Sequence, residues 1–225
     1  RLELAKTNVS IVRSITENIM KYAENPLLLV VSNPADIITK AVQETSGLPA
    51  NRVIGTGTSL DTARFRYNIS TKLHVNVEDI QAYVVGEHGD SQVAVWSSAM
   101  VGGFPLEDYA KQVGVTLDKK EIAEHTKNGG AEVIGLKGAT FYGIAMSVSN
   151  IVEAIMKDDS AILPAACVLD ESFGEWAGVA VSLPCRLGWE GIETCLRIPM
   201  NEEEQAAMNK SVAILKDFWA QVKEQ

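Results

Sequence analysis

Leu27-Leu28-Leu29-Val30-Val31-Ser32-Asn33-Pro34-Ala35-Asp36 is the stretch whose pattern decides the fold. Five consecutive apolar residues suit a short strand of a parallel sheet buried on both faces. Ser32, Asn33 and Pro34 stop that strand, and Asp36 is placed to cap a helix running through Ile37, Ile38, Ala41 and Val42. Gly47 supplies the stop at the far end of that helix. Upstream, Leu4, Ile11, Ile15 and Ile19 keep one helical face apolar at spacings of four and seven, with Arg1, Glu3, Lys6, Arg13, Glu17 and Lys21 elsewhere. This helix begins without a methionine or a capping signal, so an N-terminal portion is expected to be missing. Downstream, Arg52-Val53-Ile54-Gly55 reads as a second buried strand, closed by the turn Thr56-Gly57-Thr58. Helix, strand, helix and strand in alternation imply right-handed crossovers and a parallel sheet, the mark of an α/β fold.

Beyond residue 58 the text changes. Residues 60–73 read as a helix, 80–85 as a strand running into Gly86-Glu87-His88-Gly89-Asp90, and 92–96 as another strand. Asp118 opens a helix that Gly129-Gly130 is expected to interrupt, and a long helix follows over about 139–157. Three strand-like runs near 163–169, 177–184 and 193–198 suit an antiparallel sheet. Asn201 and Glu204 resemble a capping box that starts a last helix, to about residue 223. The second part is thus α+β, and a site is expected where the carboxyl ends of the parallel strands meet it.

The 225 residues carry 20 Lys+Arg against 29 Asp+Glu, a formal net charge of −9. With no basic run, the chain is a poor partner for nucleic acid. No apolar stretch nears the ~20 residues that span a bilayer, and no signal-peptide pattern opens the chain. Cys167, Cys185 and Cys195 are odd in number and form no C-x-x-C pair, which favours reduced thiols in a reducing compartment.

Among chemistry-bearing residues, His88 stands out. Glycines on both sides let the chain bend beside the imidazole, and histidine exchanges protons near neutrality. The alternative is a turn histidine satisfied locally, while His74 and His125 read as surface or helix-packing residues. Asp61 and Arg64 share a helical face at i and i+3. Either they form a solvated ion pair, or the carboxylate orients a histidine while the guanidinium binds a substrate carboxylate. Asn33, held extended before Pro34, is either a turn residue or an amide at a ligand-binding sheet edge. Gly55-Thr56-Gly57 does not complete G-x-G-x-x-G, no Walker loop occurs, and no His or Cys spacing suggests a metal site. A hydrolase triad of Asp61, His88 and Ser91 lacks a nucleophile elbow. Asp158-Asp159 and Glu202-Glu203-Glu204 read as solvated helix ends.

Four segments, in this order, resemble the lactate/malate dehydrogenase family, on its L-lactate branch. They are Val31-Ser32-Asn33-Pro34-Ala35-Asp36, Gly55-Thr56-Gly57-Thr58-Ser59-Leu60-Asp61-Thr62-Ala63-Arg64-Phe65-Arg66, Gly86-Glu87-His88-Gly89-Asp90-Ser91 and Leu136-Lys137-Gly138-Ala139-Thr140. Arg1-Leu2-Glu3-Leu4 also looks like the start of the helix that follows the family's mobile loop. The resemblance implies that residues 1–58 are the C-terminal part of a Rossmann-type NAD-binding domain and that 59–225 are the substrate domain. It implies His88 as general acid/base, Asp61 as its carboxylate partner and Arg64 as the clamp on the substrate carboxylate. Asn33 and Thr140 would contact substrate, while Val31, Ser32, Asn33, Thr56 and Ile144 would line the NAD site. A cis bond is expected between Asn33 and Pro34.

The resemblance further implies NAD-dependent interconversion of L-lactate and pyruvate by a cytoplasmic homotetramer in fermentation or glycolysis. L-2-hydroxyisocaproate and malate are the alternative small 2-hydroxy acids, and an inactive assembly domain is the alternative of another class. The family's phosphate-binding glycine loop, acidic ribose-binding residue and mobile loop have no counterpart in these residues, so this chain alone is expected neither to bind dinucleotide tightly nor to turn over by itself. Arg66 matches an arginine of the family's fructose 1,6-bisphosphate site. Gln81 stands where that site has a histidine, so activation by the sugar bisphosphate is expected to be small.

Overall fold

The computed structural model describes residues 2–223. In chain order the elements are α1 (Leu2–Met20), β1 (Leu28–Val30), α2 (Ala35–Ser46), β2 (Val53–Gly55), α3 (Ser59–Leu73), β3 (Ile80–Val85), β4 (Val93–Val101), β5 (Phe104–Pro105), α4 (Leu106–Gln112), α5 (Lys119–Lys137), α6 (Tyr142–Lys157), β6 (Ile162–Val168), β7 (Ala180–Gly188), β8 (Gly191–Cys195) and α7 (Glu202–Val222). The α/β start and the α+β continuation both form. β1 and β2 pair in parallel, joined through α2, which ends on Gly47 in the left-handed conformation. β3, β4 and β5 make a separate three-stranded antiparallel sheet.

The three C-terminal strands do not stand apart as expected. They are antiparallel to one another but continue the first sheet, in the order β1-β2-β6-β7-β8. The joint is the pairing of Gly55 with Ala166. Only small residues fit there, since a Cβ on Gly55 would run into the Thr39 hydroxyl and lie 3.1 Å from the Ala166 methyl. One apolar core covers this mixed sheet, gathering Ile37, Ile38, Ile54, Ile151, Leu183 and Met208. A second lies under the β3–β5 sheet around Phe65, Ile69, Ile80, Leu106 and Ile122.

Several local expectations are corrected. β1 is an edge strand of the described sheet, and of its residues only Val30 is buried. The apolar stripe of α1 faces outward, with Leu4 65% and Ile11 53% exposed, because the helix seats its small Ala5–Val9 ridge against α2 instead. Pro34, not Asp36, occupies the N-cap of α2, with no side-chain cap. α5 runs unbroken through Gly129-Gly130 and ends at Gly138. Gly129 makes room for a neighbour, since a Cβ there would lie 3.0 Å from Cδ of Arg64. β5 and α4 carried too short a pattern to be expected. Among the described residues no helix is long and apolar enough to cross a membrane.

Candidate active site

Three segments converge on one cleft. Thr58 anchors the turn after β2: its amide donates to Ser182 Oγ (3.0 Å) and its hydroxyl to the Val84 carbonyl (2.6 Å). This sets the first turn of α3, which carries Asp61. Gly86 at the end of β3 exchanges two backbone hydrogen bonds with Ser182 of β7. It has φ 89°, and a Cβ there would lie 2.8 Å from Ser211 Oγ of α7, so glycine answers both demands. Ser211 Oγ accepts from the Glu87 amide (2.8 Å), leaving His88 at the tip of the bend.

The His88 ring lies against Asp61, with Nδ1 2.6 Å from Oδ2. With Nδ1 donating to the carboxylate, Nε2 is the nitrogen left for proton exchange. Arg64 Nη1 sits 3.4 Å from the other oxygen, Oδ1, of the same carboxylate. Asp61 is buried, while Arg64 and His88 are half-buried. Burial works hardest against the charge on His88, but the hydrogen bond and charge of Asp61, helped by Asp36, outweigh it, and Arg64 opposes them weakly. The net result is a pKa above the ordinary value.

Sequence reasoning missed the role of Asp36. Its wholly buried Oδ2 accepts the His88 amide (2.7 Å), and Oδ1 has no hydrogen-bond partner. Burial raises its pKa from 3.8 to about 7, against the lowering hydrogen bond from His88. The only signal in the text was an acid two residues after a proline, which reads equally well as a cap.

Val31, Asn33, Thr56, Asp61, Arg64, His88, Thr140 and Ile144 all line this cleft of about 620 Å³. Ser32 is exposed and is not among the lining residues. The Asn33–Pro34 bond is cis, and the Asn33 carbonyl accepts from Asn8 Nδ2 (2.9 Å). Arg66 and Gln81 lie outside the cleft. Arg66 Nε donates to the Ala82 carbonyl (2.8 Å) and its guanidinium stacks 5.0 Å above the Tyr83 ring, while Gln81 is exposed on β3. Ser91 bonds Glu87 and Ser211 rather than His88, which disposes of a hydrolase triad. Glu204 is buried, not solvated.

Chemically, the cleft offers a proton-exchanging imidazole backed by a carboxylate, and a guanidinium fork suited to an organic carboxylate. Val31, Leu60 and Ile144 add an apolar wall, with the Asn33 amide and Thr56 hydroxyl beside it. That mixture suits a flat heteroaromatic ring bearing an amide, such as nicotinamide.

Residues 1–55 match the family model described as lactate/malate dehydrogenase, NAD binding domain. Residues 58–225 match lactate/malate dehydrogenase, alpha/beta C-terminal domain. The chain belongs to the lactate/malate dehydrogenase family. It is 41% identical over 223 residues to an L-lactate dehydrogenase of Nitratidesulfovibrio vulgaris, covering 98% of this chain and 72% of that relative. An L-lactate dehydrogenase of Acetivibrio thermocellus is also 41% identical, over 97% of this chain and 69% of its own length. Among solved structures, an L-lactate dehydrogenase from Clostridium thermocellum superposes with a TM-score of 0.90 at 43% identity, covering all of this chain and 74% of the other. The minor L-lactate dehydrogenase of Enterococcus mundtii, in a ligand-bound form, gives a TM-score of 0.94 at 38% identity, over 100% of this chain and 72% of that one.

Proposed function

We propose that the protein interconverts L-lactate and pyruvate with NAD, using His88 as general acid/base. The observation that carries this reading is the 2.6 Å contact between His88 Nδ1 and Asp61, with Arg64 at the other oxygen of the same carboxylate in the same cleft. NAD, when bound, supplies the hydride acceptor. Loss of hydride makes the substrate hydroxyl acidic, and His88 takes its proton through Nε2. Asp61 holds the ring and stabilises the imidazolium that results. In the reverse direction the imidazolium polarises the ketone and returns the proton. Arg64 grips the substrate carboxylate with two parallel hydrogen bonds and so fixes which face of the carbon is presented. Asn33 and Thr140 complete the substrate contacts, and Val31, Asn33, Thr56 and Ile144 the nicotinamide side, with Ser32 left outside the lining. Residues 1–58 serve as the cofactor-binding part and 59–225 as the substrate part.

The same reading makes the protein a cytoplasmic homotetramer that serves fermentation. The outward apolar faces of α1 and α6, including Ile11, Ile15, Met146 and Met156, support self-association. Gln81 carries no charge to pair with an anion beside Arg66, so fructose 1,6-bisphosphate should barely change the KM for pyruvate.

The test, run on residues 1–225 and on a longer form of the polypeptide that contains them, is oxidation of NADH on adding pyruvate, 4-methyl-2-oxopentanoate or oxaloacetate, with turnover expected from the longer form. Pyruvate should give the highest kcat/KM, and His88→Ala should lose most of kcat while NADH binding persists. A His88→Ala variant with near-normal kcat would overturn the assignment, and a preference for either other acid would move the specificity.

A further inference from the structure

All three cysteines of the chain meet at one point, although they lie on three different strands. Cys167 stands on β6, Cys185 on β7 and Cys195 at the end of β8. The sulfurs of Cys167 and Cys195 are 3.1 Å apart, and the Cys185 thiol reaches Cys195 at 3.6 Å. All three are free; Cys167 and Cys185 are buried, whereas Cys195 is partly open to solvent. Among the described residues no group of His, Cys, Asp and Glu has the arrangement to hold a metal ion, so coordination does not account for the convergence.

We propose that Cys167 and Cys195 form a reversible intramolecular disulfide when the protein meets a hydroperoxide. Cys195, the least buried of the three residues, attacks first. Its thiolate bonds to one peroxide oxygen, the O–O bond breaks, and the released alkoxide or hydroxide takes a proton, leaving a sulfenic acid. Cys167 then attacks that sulfur; the S–S bond forms, the S–O bond breaks, and water departs. In sum, two thiols and one hydroperoxide give one disulfide, one alcohol and one water when the oxidant is organic, or two waters when it is hydrogen peroxide. The sulfurs need approach by only about 1 Å to reach bonding distance. Hydrogen bonds from Cys167 and then Cys185 hold the Cys195 thiol down at about 4, which favours the nucleophilic form, while the Cys185 thiol itself is pushed up. The link would cross β7 and join β6 to β8, one residue beyond Ala166, whose methyl supports the Gly55–Gly57 turn of the cleft.

The experiment uses the full chain, reduced, desalted and treated with hydrogen peroxide at equal concentration. The expected product has lost two hydrogens by intact mass, shows a peptide pair joined through Cys167 and Cys195, and returns to its starting mass with dithiothreitol. Titratable thiols in denaturant fall from three to one. Cys185→Ser should still form the link, and Cys195→Ser should keep both remaining thiols. The proposal is overturned if all three thiols survive, if Cys195 gains oxygen without a cross-link, if the link runs through Cys185, or if it joins two chains.

Discussion

Asp61 and Asp36 press on His88 from two directions, and each answers to a separate substitution. Asp61→Asn keeps the shape of the side chain but removes the charge that outweighs burial of the imidazole. The pKa of His88, followed by imidazole NMR, should fall by roughly one to three pH units. Because reduction of a 2-oxo acid needs the imidazolium, the alkaline limb of that activity should move to lower pH with it. Asp36 behaves in the opposite way. Its folded pKa of about 7 lies above the ordinary 3.8, so the folded protein holds a proton there that the unfolded chain has lost. Between about pH 4 and pH 7 this group therefore makes stability fall as pH rises, and above pH 7 the whole penalty is present. Asp36→Asn can still accept from the His88 amide and carries no charge to bury. Its unfolding free energy, read from urea titration, should exceed that of the parent at pH 8 by at most about 4 kcal/mol, with the gain vanishing towards pH 4. An equal gain at both pH values would show that titration of Asp36 is not the cause.

At the scale of elements, α7 is fastened twice at its start. Asn201 and Glu204 complete the capping box, each side chain accepting from the other's backbone amide. Glu204 also accepts from the amides of Trp96 and Ser97, at 2.8 and 3.0 Å, and so ties the helix to β4. Glu204→Ala would strip the amides of β4 of their acceptor and weaken the cap together. A loss of about 2–3 kcal/mol is expected, read as a lower urea midpoint with an unchanged slope. The helix start was legible because Asn-x-x-Glu is a local, reciprocal arrangement. The second set of partners, about a hundred residues away, leaves no mark in the local text. Gly129 follows the same logic, since its lack of a side chain answers to Arg64 on α3 rather than to its own helix.

For the whole molecule, the joint between β2 and β6 is decisive. Because one sheet holds strands from both parts of the chain, with Ser182 bonded to both the turn after β2 and the end of β3, the two cores should unfold together. Trp96 packs against the core of the smaller sheet and Trp176 lies in the core of the larger. Variants in which Trp96 or Trp176 is the sole survivor of the four tryptophans should give coincident urea transitions. Separate midpoints would show that the β3–β5 sheet is an independent unit.

The alternation of residues 1–58, the Asn33–Pro34 stop, the Gly-Glu-His-Gly-Asp bend and the Asn201 cap could all be read from the linear text. Each depends on period, backbone restriction or a partner within a few residues, and such constraints act locally. The convergence of His88, Asp61 and Arg64 was suggested by the text only through likeness to a family, since i and i+3 spacing alone favoured an ordinary ion pair. Tertiary structure alone decided that Asp36 is buried beneath His88, that the stripe of α1 faces outward, that the C-terminal strands extend the first sheet, and that three distant thiols touch. The physical reason is common to all four: burial and pairing belong to whichever surface arrives opposite, and that surface is set by chain packing far away in sequence.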